Sequence, residues 1–517
     1  MRLSACIAVL LGGLAAASPS WAATANNELV IATSNDIRSI NGTGRDAITD
    51  TVLHHIYETL VGFRSDLTIG PALADSWDVS EDGKVYTFHL RPGAKFHNGD
   101  PITAADVKWS WEFHMNPDRD VSCRANFDGS RSIKLESIEA PDDQTVVFTI
   151  AEPSGLMLTR LAEIQCNLWV ASPKNADADG NWIAGSAIGS GPFMLDNWAS
   201  GESITLKRFE DYVPSTEPRS GYAGDRTALV DTLKFQIIPD YTVQEVALQS
   251  GDIDVMNNVQ AARARDLEAQ GLNLSYSPGL GWTTFLLQTN DPLLSNVDIR
   301  RAIAMAIDYD QIAGIRTGDM AGSNHSAVAD SSAYHNSAFT EWPAFDPVAA
   351  RALATEAGYK GEKITIQTNN RYQSMYENAI LLQAMLMAAG FNAEIETLEW
   401  GTQLDKFNSG DFQIQSFAWS ARLDPALNYG SFIGDKVEDP SNQWDSDEAY
   451  NLYQQSLVEA DPAKRQEIFE TLHKMMVEDM PIIGLYYAPN VALTRPNVQG
   501  YSAWPADNSI GWGVSKN

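Results

Sequence analysis

Cysteine is scarce in this chain, with three residues among 517. A small disulfide-stapled scaffold is therefore excluded, and no Cys-x-x-Cys pair suggests a redox or zinc motif. Basic residues are outnumbered, 36 Lys and Arg against 67 Asp and Glu, and the net charge of −31 argues against a nucleic-acid partner, which needs a basic face. No stretch beyond the N-terminus is apolar for the roughly 20 residues that a bilayer span requires. Low-complexity tracts and short-period repeats are missing.

Catalytic signatures are missing too. There is no phosphate-cradling glycine loop, serine elbow or zincin helix. The eight histidines show no zinc-site spacing, and the neighbours His54 and His55 would point in different directions on a helix or a strand. Asn175 to Gly180 resembles the start of a calcium loop, but it lacks the first aspartate and has Ser186 where a bidentate glutamate belongs. A plain surface loop is the better reading. No catalytic residue, metal site or cofactor is expected.

What is present begins with an export signal. Arg2 supplies a basic start, Ile7 to Ala17 is an apolar run, and Ser20-Trp21-Ala22 places small residues where a signal peptidase reads. Cleavage is expected after Ala22, giving a periplasmic protein. Leu3-Ser4-Ala5-Cys6 looks like a lipoprotein box, but no apolar segment precedes it. Cys6 leaves with the signal, and Cys123 and Cys166 remain as an even pair in an oxidising compartment. A disulfide between them is expected.

A chain of this length should divide into at least two domains. Leu29 to Thr33 reads as a strand ended by Ser34-Asn35-Asp36. Trp77 to Leu90 reads as a hairpin about Asp82-Gly83, with Tyr86, Phe88 and Leu90 on one face. A second hairpin is expected from Leu135 to Ile150. Thr103 and Asp106 form a capping box, with Ile102 and Val107 at the staple positions. Asp346-Pro347 and Asp461-Pro462 each start a helix, the first ending at Gly358. Ile299, Ile303, Ala306 and Ile307 form one helical stripe, and Ile468, Leu472 and Met476 another. Between the helices lie strand-like runs at Lys363 to Gln367 and Phe412 to Trp419. This alternation predicts α/β lobes.

Taken together, these segments resemble the large extracellular solute-binding proteins of the dipeptide-, oligopeptide- and nickel-binding type. The most specific block runs from Ala72 through Trp77 and the Asp82-Gly83 turn to Tyr86-Thr87-Phe88-His89-Leu90-Arg91-Pro92-Gly93-Ala94-Lys95-Phe96-His97-Asn98-Gly99-Asp100-Pro101. Ile56 to Leu60, Gly189 to Phe193, Ala247 to Asp254, Asp298 to Ile312 and Ala352 to Tyr359 follow in the family's order. The resemblance implies two lobes joined by crossing strands, with an extra subdomain in lobe I. It implies lobe I at 23–48, 185–270 and 485–517, the subdomain at 49–184 and lobe II at 271–484. It further implies a monomeric receptor of an ABC importer. Such a receptor closes about a hinge on a small-molecule or peptide ligand and delivers it to a membrane permease without making or breaking a bond. A ligand sensor or peptide chaperone on the same fold is the alternative, since fold does not fix function. An unrecognised periplasmic hydrolase is the third.

Site residues are expected where strands end at the cleft. Candidates are Ser34, Asn35 and Asp36, then Asn369, Asn370, Arg371 and Tyr372, then the run Trp419-Ser420-Ala421-Arg422-Leu423-Asp424-Pro425. In peptide-binding members of the family, a tryptophan in that run is followed three residues on by an aspartate that holds the peptide's amino group. Trp419 fits, but position 422 is arginine. That points away from an ammonium and toward a solute with an acidic group, peptide-like, opine-like or an acidic sugar conjugate, which a planar guanidinium grips with two hydrogen bonds. Pairing of Arg422 with Asp424 is the opposing structural account.

Overall fold

The computed structural model describes residues 27–41, 47–119, 122–130, 133–166, 168–506 and 509–517. The export signal and its cleavage site lie outside them.

Ten strands form one mixed sheet. In chain order they are β1 (Glu28–Thr33), β2 (Phe193–Ala199), β3 (Ser203–Arg208), β4 (Thr232–Ile237), β5 (Val255–Asn257), β6 (Asn273–Leu287), β7 (Lys363–Asn369), β8 (Asn392–Leu398), β9 (Ile414–Ala418) and β10 (Ile482–Thr494). Their spatial order is β8-β7-β9-β6-β10-β5-β1-β4-β3-β2. One arm carries the parallel set β5, β1 and β4, and the other carries β8, β7 and β9. These arms are the sheets of two lobes. Each lobe is α/β because helices cover the apolar faces of its sheet.

The long strands β6 and β10 cross between the lobes as an antiparallel pair. Asn273 to Pro278 pairs with Thr494 to Pro489, and Trp282 to Leu286 pairs with Tyr487 to Ile482. The register breaks between Pro278 and Trp282. Pro278 faces Pro489 there, and neither can donate to the ladder. Gly279 lies so close to the partner strand that a Cβ would sit 2.2 Å from the Ala488 carbonyl oxygen. A bend at the crossing is thus written in three residues that weaken pairing.

The local readings appear with their expected partners. Tyr86, Phe88 and Leu90 are buried on one face of Val85–Leu90. That strand is the second in an antiparallel sheet ordered Ala74–Val79, Val85–Leu90, Thr145–Ile150, Leu135–Asp142. The Asp106 carboxylate accepts hydrogen bonds from the Thr103 amide and hydroxyl at 2.8 Å each, opening the helix Ala104–Met115. Asp346 caps Pro347–Glu356 by accepting from Val348 and Ala349. Leu472 and Met476 are fully buried in Pro462–Asp479.

The helix Ala47–Ile56 sits between sheet and subdomain, and its two histidines face apart. His54 Nε2 lies 3.0 Å from the Ile164 carbonyl oxygen, while His55 Nε2 accepts the Gly511 amide at 2.9 Å. Burial pushes both imidazoles down to about 3, so each is neutral. The Gly511 bond helps return the C-terminal segment to lobe I, as do Arg219 on the Trp512 carbonyl and Lys516 on Asp254.

Candidate functional site

Strands β7 and β9 run parallel, so their C-terminal ends lie at one edge of lobe II. The end of β1 occupies the corresponding edge of its own parallel set in lobe I. In open α/β sheets such edges bear ligand sites.

In lobe I the loop after β1 is tightly bonded. Asp36 accepts from the amides of Ile37 and Gly201, the Trp198 indole and the Ser200 hydroxyl, all within 2.9 Å. Burial pushes its carboxyl up, but these donors outweigh that and hold it below the usual carboxylate range. Its charge thereby ties the loop to the β2–β3 hairpin. Asn35 is exposed; its side chain donates to the hydroxyl of Ser34 and its carbonyl accepts from the Thr33 hydroxyl, and Ser34 lines a cavity of about 110 Å³ with Asn257, Gln244 and Ser509.

In lobe II, β7 leads into the helix Gln373–Ala388. Asn369 is buried, accepts the Tyr372 amide and donates to Gln403. Asn370, Arg371 and Tyr372 are exposed. The Arg371 guanidinium lies 5.9 Å from the Tyr372 ring centroid, and that ring meets Trp400 edge-on.

The segment after β9 splits its residues between different surroundings. Trp419 is partly buried and packs on Phe417 and Phe407, at 5.0 and 6.0 Å between ring centroids, against a lobe II core cluster. Asp424 is turned inward. It caps Pro425–Tyr429 through the Ala426 amide and meets Arg465 with both oxygens at 2.9 Å. The expected alternative, an Arg422–Asp424 pair, is corrected here: the partner of Asp424 is Arg465, because the capping role aims its carboxylate into the lobe.

Arg422 faces a cavity of about 230 Å³ between the lobes. Thr159 to Ile164 of the subdomain forms one wall, Leu280 of β6 and Ala506 form another, and Ala421 to Leu423 with Leu427 close the third. The guanidinium donates to the Ser420 hydroxyl at 2.6 Å and to the Ser420 and Ala421 carbonyls. Among the described residues no carboxylate pairs with it. Burial pushes its pKa down; Glu163 across the cavity opposes this and Arg160 adds to it. Glu163 itself is paired with Arg160 at 2.8 Å. The cavity thus holds two guanidinium groups and one carboxylate, an arrangement suited to an anion.

Of the sequence-predicted residues, Arg422 lines the interlobe cavity, Asp424 lines a neighbouring one, and Ser34 lines a third. Arg160 and Glu163 were missed. Their usable signal was an i, i+3 charge pair just before Cys166. Cys123 and Cys166 are bonded, with Cα atoms 5.2 Å apart, which anchors this wall. Among the described residues, Cys123, Glu163 and Cys166 form a group compact enough for a metal, but its two sulfurs are joined to each other. The calcium-like loop is occupied internally: Asp177 accepts amides of Asp179 and Asn181, and Asn175 is buried.

Known proteins match along the same chain. The Escherichia coli K12 dipeptide-binding protein is 29% identical over 482 residues, covering 87% of each chain. HbpA2 of Haemophilus parasuis superposes with a TM-score of 0.82 at 24% identity, covering 95% of this chain and all of that one. AgaA of A. tumefaciens R10, solved with agropinic acid, superposes at 0.66 with 25% identity, covering 95% and 99%. The profile of the bacterial extracellular solute-binding proteins, family 5 middle region, matches residues 68–439, and the chain belongs to that family.

Proposed function

We propose that this protein is the receptor of an ABC importer and that it captures a small solute with an acidic group, peptide-like or opine-like, between its lobes. Arg422 carries the reading: it is a guanidinium in the interlobe cavity with only neutral acceptors. Its planar fork would grip the ligand carboxylate, and Ser420 would hold the fork's orientation. Arg371, Tyr372 and Asn35 stand on the exposed rims that approach when the lobes close about the β6–β10 crossing. The names of relatives support the ligand class: one is a dipeptide-binding protein, another was solved with agropinic acid.

The domain division that accompanies this reading is lobe I at 23–48, 185–270 and 485–517, the subdomain at 49–184 and lobe II at 271–484, with β6 and β10 spanning the boundary. The protein would act as a periplasmic monomer and hand its ligand to a membrane permease, with no bond made or broken. The intact mass of the exported protein should place Ala23 first; a mass that retains residues 1–22 would refute export by cleavage.

A thermal-shift screen of dipeptides, tripeptides and opine acids should identify the ligand, since tight binding raises the melting point by mass action. Calorimetry should then show Arg422→Ala losing about 2–5 kcal/mol of binding, with Arg422→Lys recovering part of it. Unchanged affinity in both variants would make Arg422 structural. Recovery of the ligand intact after incubation separates reception from hydrolysis.

A further inference from the structure

The cavity around Arg422 has a larger neighbour. Thr159 and Leu423 line it and also line a second cavity of about 570 Å³ between the subdomain and lobe II. Leu67, Ile69, Trp77 and Leu158 contribute from the subdomain side, and Tyr334 and Pro462 from lobe II. The charges on this wall are already satisfied. Asp424 and Arg465 hold each other through two bonds, and Arg465 also donates to the Tyr334 hydroxyl. A ligand entering here meets mostly hydrocarbon and aromatic surface, with Thr68, Ser332 and Gln466 among its walls and no unpaired ion.

The spacing of the two walls is pinned. The Gly155 amide donates to the Leu457 carbonyl at 3.0 Å, joining subdomain to lobe II at the cavity's edge. A Cβ on Gly155 would sit 2.1 Å from the Glu459 carbonyl oxygen, so this approach requires glycine. A backbone contact therefore sets the separation of the two walls in this structure.

We infer that the two cavities form one bipartite site, with an acidic head at Arg422 and Arg160 and an apolar tail running past Thr159 and Leu423 to Trp77, Leu158 and Pro462. The ligand class is an amphipathic acid: an acyl- or aryl-substituted amino acid, or a short peptide with a bulky apolar residue beside its carboxylate. This rests on the reading of Arg422 given above and extends it to the rest of the molecule that Arg422 would hold.

The test uses a probe series of N-acylglycines, from acetyl through butanoyl and hexanoyl to octanoyl, titrated by calorimetry into the full-length mature protein. Affinity should rise by about fourfold per methylene until the tail fills the cavity. Ala463→Trp, at an exposed helical position on the cavity's rim, should flatten that rise and leave N-acetylglycine unaffected. Leu158→Ser should reduce the rise without abolishing it. Arg422→Ala should weaken every member by a common factor of at least about thirty.

The two readings fail differently. Equal binding along the series, or a rise that ignores both Ala463→Trp and Leu158→Ser, overturns the tail site and leaves Arg422 standing. A rise that survives Arg422→Ala at full affinity overturns the head assignment and the bipartite site with it. No binding by any member overturns both.

Discussion

Two loops end strands at the cleft, one in each lobe, and each carries charge. After β1, Asp36 accepts four hydrogen bonds from groups of its own lobe. After β9, Arg422 reaches into the interlobe cavity with only neutral acceptors from its own segment, while Asp424, two residues on, is buried against Arg465. Position at a strand end is therefore not sufficient to make a charge a ligand contact. What distinguishes the three is whether their bonding capacity is met inside the lobe. Saturated charges hold a loop in place, whereas the proposed ligand role of Arg422 rests on a guanidinium that no carboxylate of the described residues takes up.

The comparison breaks most sharply at Asp424. Asp424→Ala would leave the Arg465 guanidinium buried without its anion, at 3% residue exposure. A loss of about 3–5 kcal/mol in denaturant unfolding is expected, the range for breaking a buried ion pair from one side. A change near zero would mean that Asp424 is free to serve a ligand.

A smaller effect is expected at Asp36. Asp36→Ala should cost about 1–3 kcal/mol through its four donors. The sign of the pH dependence follows from a carboxyl held low in the folded state. Its contribution is full above the ordinary carboxylate value of 3.8 and fades as pH falls through the lower folded value. The gap between wild type and Asp36→Asn should therefore narrow in acid below 3.8, and a gap that widens there would reverse the assignment. Against this background Arg422→Ala should shift unfolding by only about 0.5 kcal/mol or less, since it ends no ion pair. A large loss of stability at Arg422 would erase the contrast between the two loops.

Much of the fold was legible because its signals are local. A strand with Tyr86, Phe88 and Leu90 at period two can bury only one face, and Asp346-Pro347 and Asp461-Pro462 start helices from within a few residues. The site was legible only in part. That the segment near Trp419 bears on the cleft came from its resemblance to a family. Trp419 packs against the lobe II core while remaining partly exposed, and Arg160 and Glu163 escaped notice because nothing in their spacing relates them to a residue some 260 positions away.

The sequence alone determined the hairpins, the helix starts, the acidic and cysteine-poor character, and the arginine at position 422, since each depends on residues within about ten positions or on composition. Tertiary structure alone decided which charges are satisfied. It set Asp424 against Arg465 and brought Thr159 to Ile164 opposite Arg422. It also set two cavities side by side, with Thr159 and Leu423 lining both. The reason is physical: pairing depends on where a side chain's few polar atoms point once burial removes water, and chain order does not contain that direction.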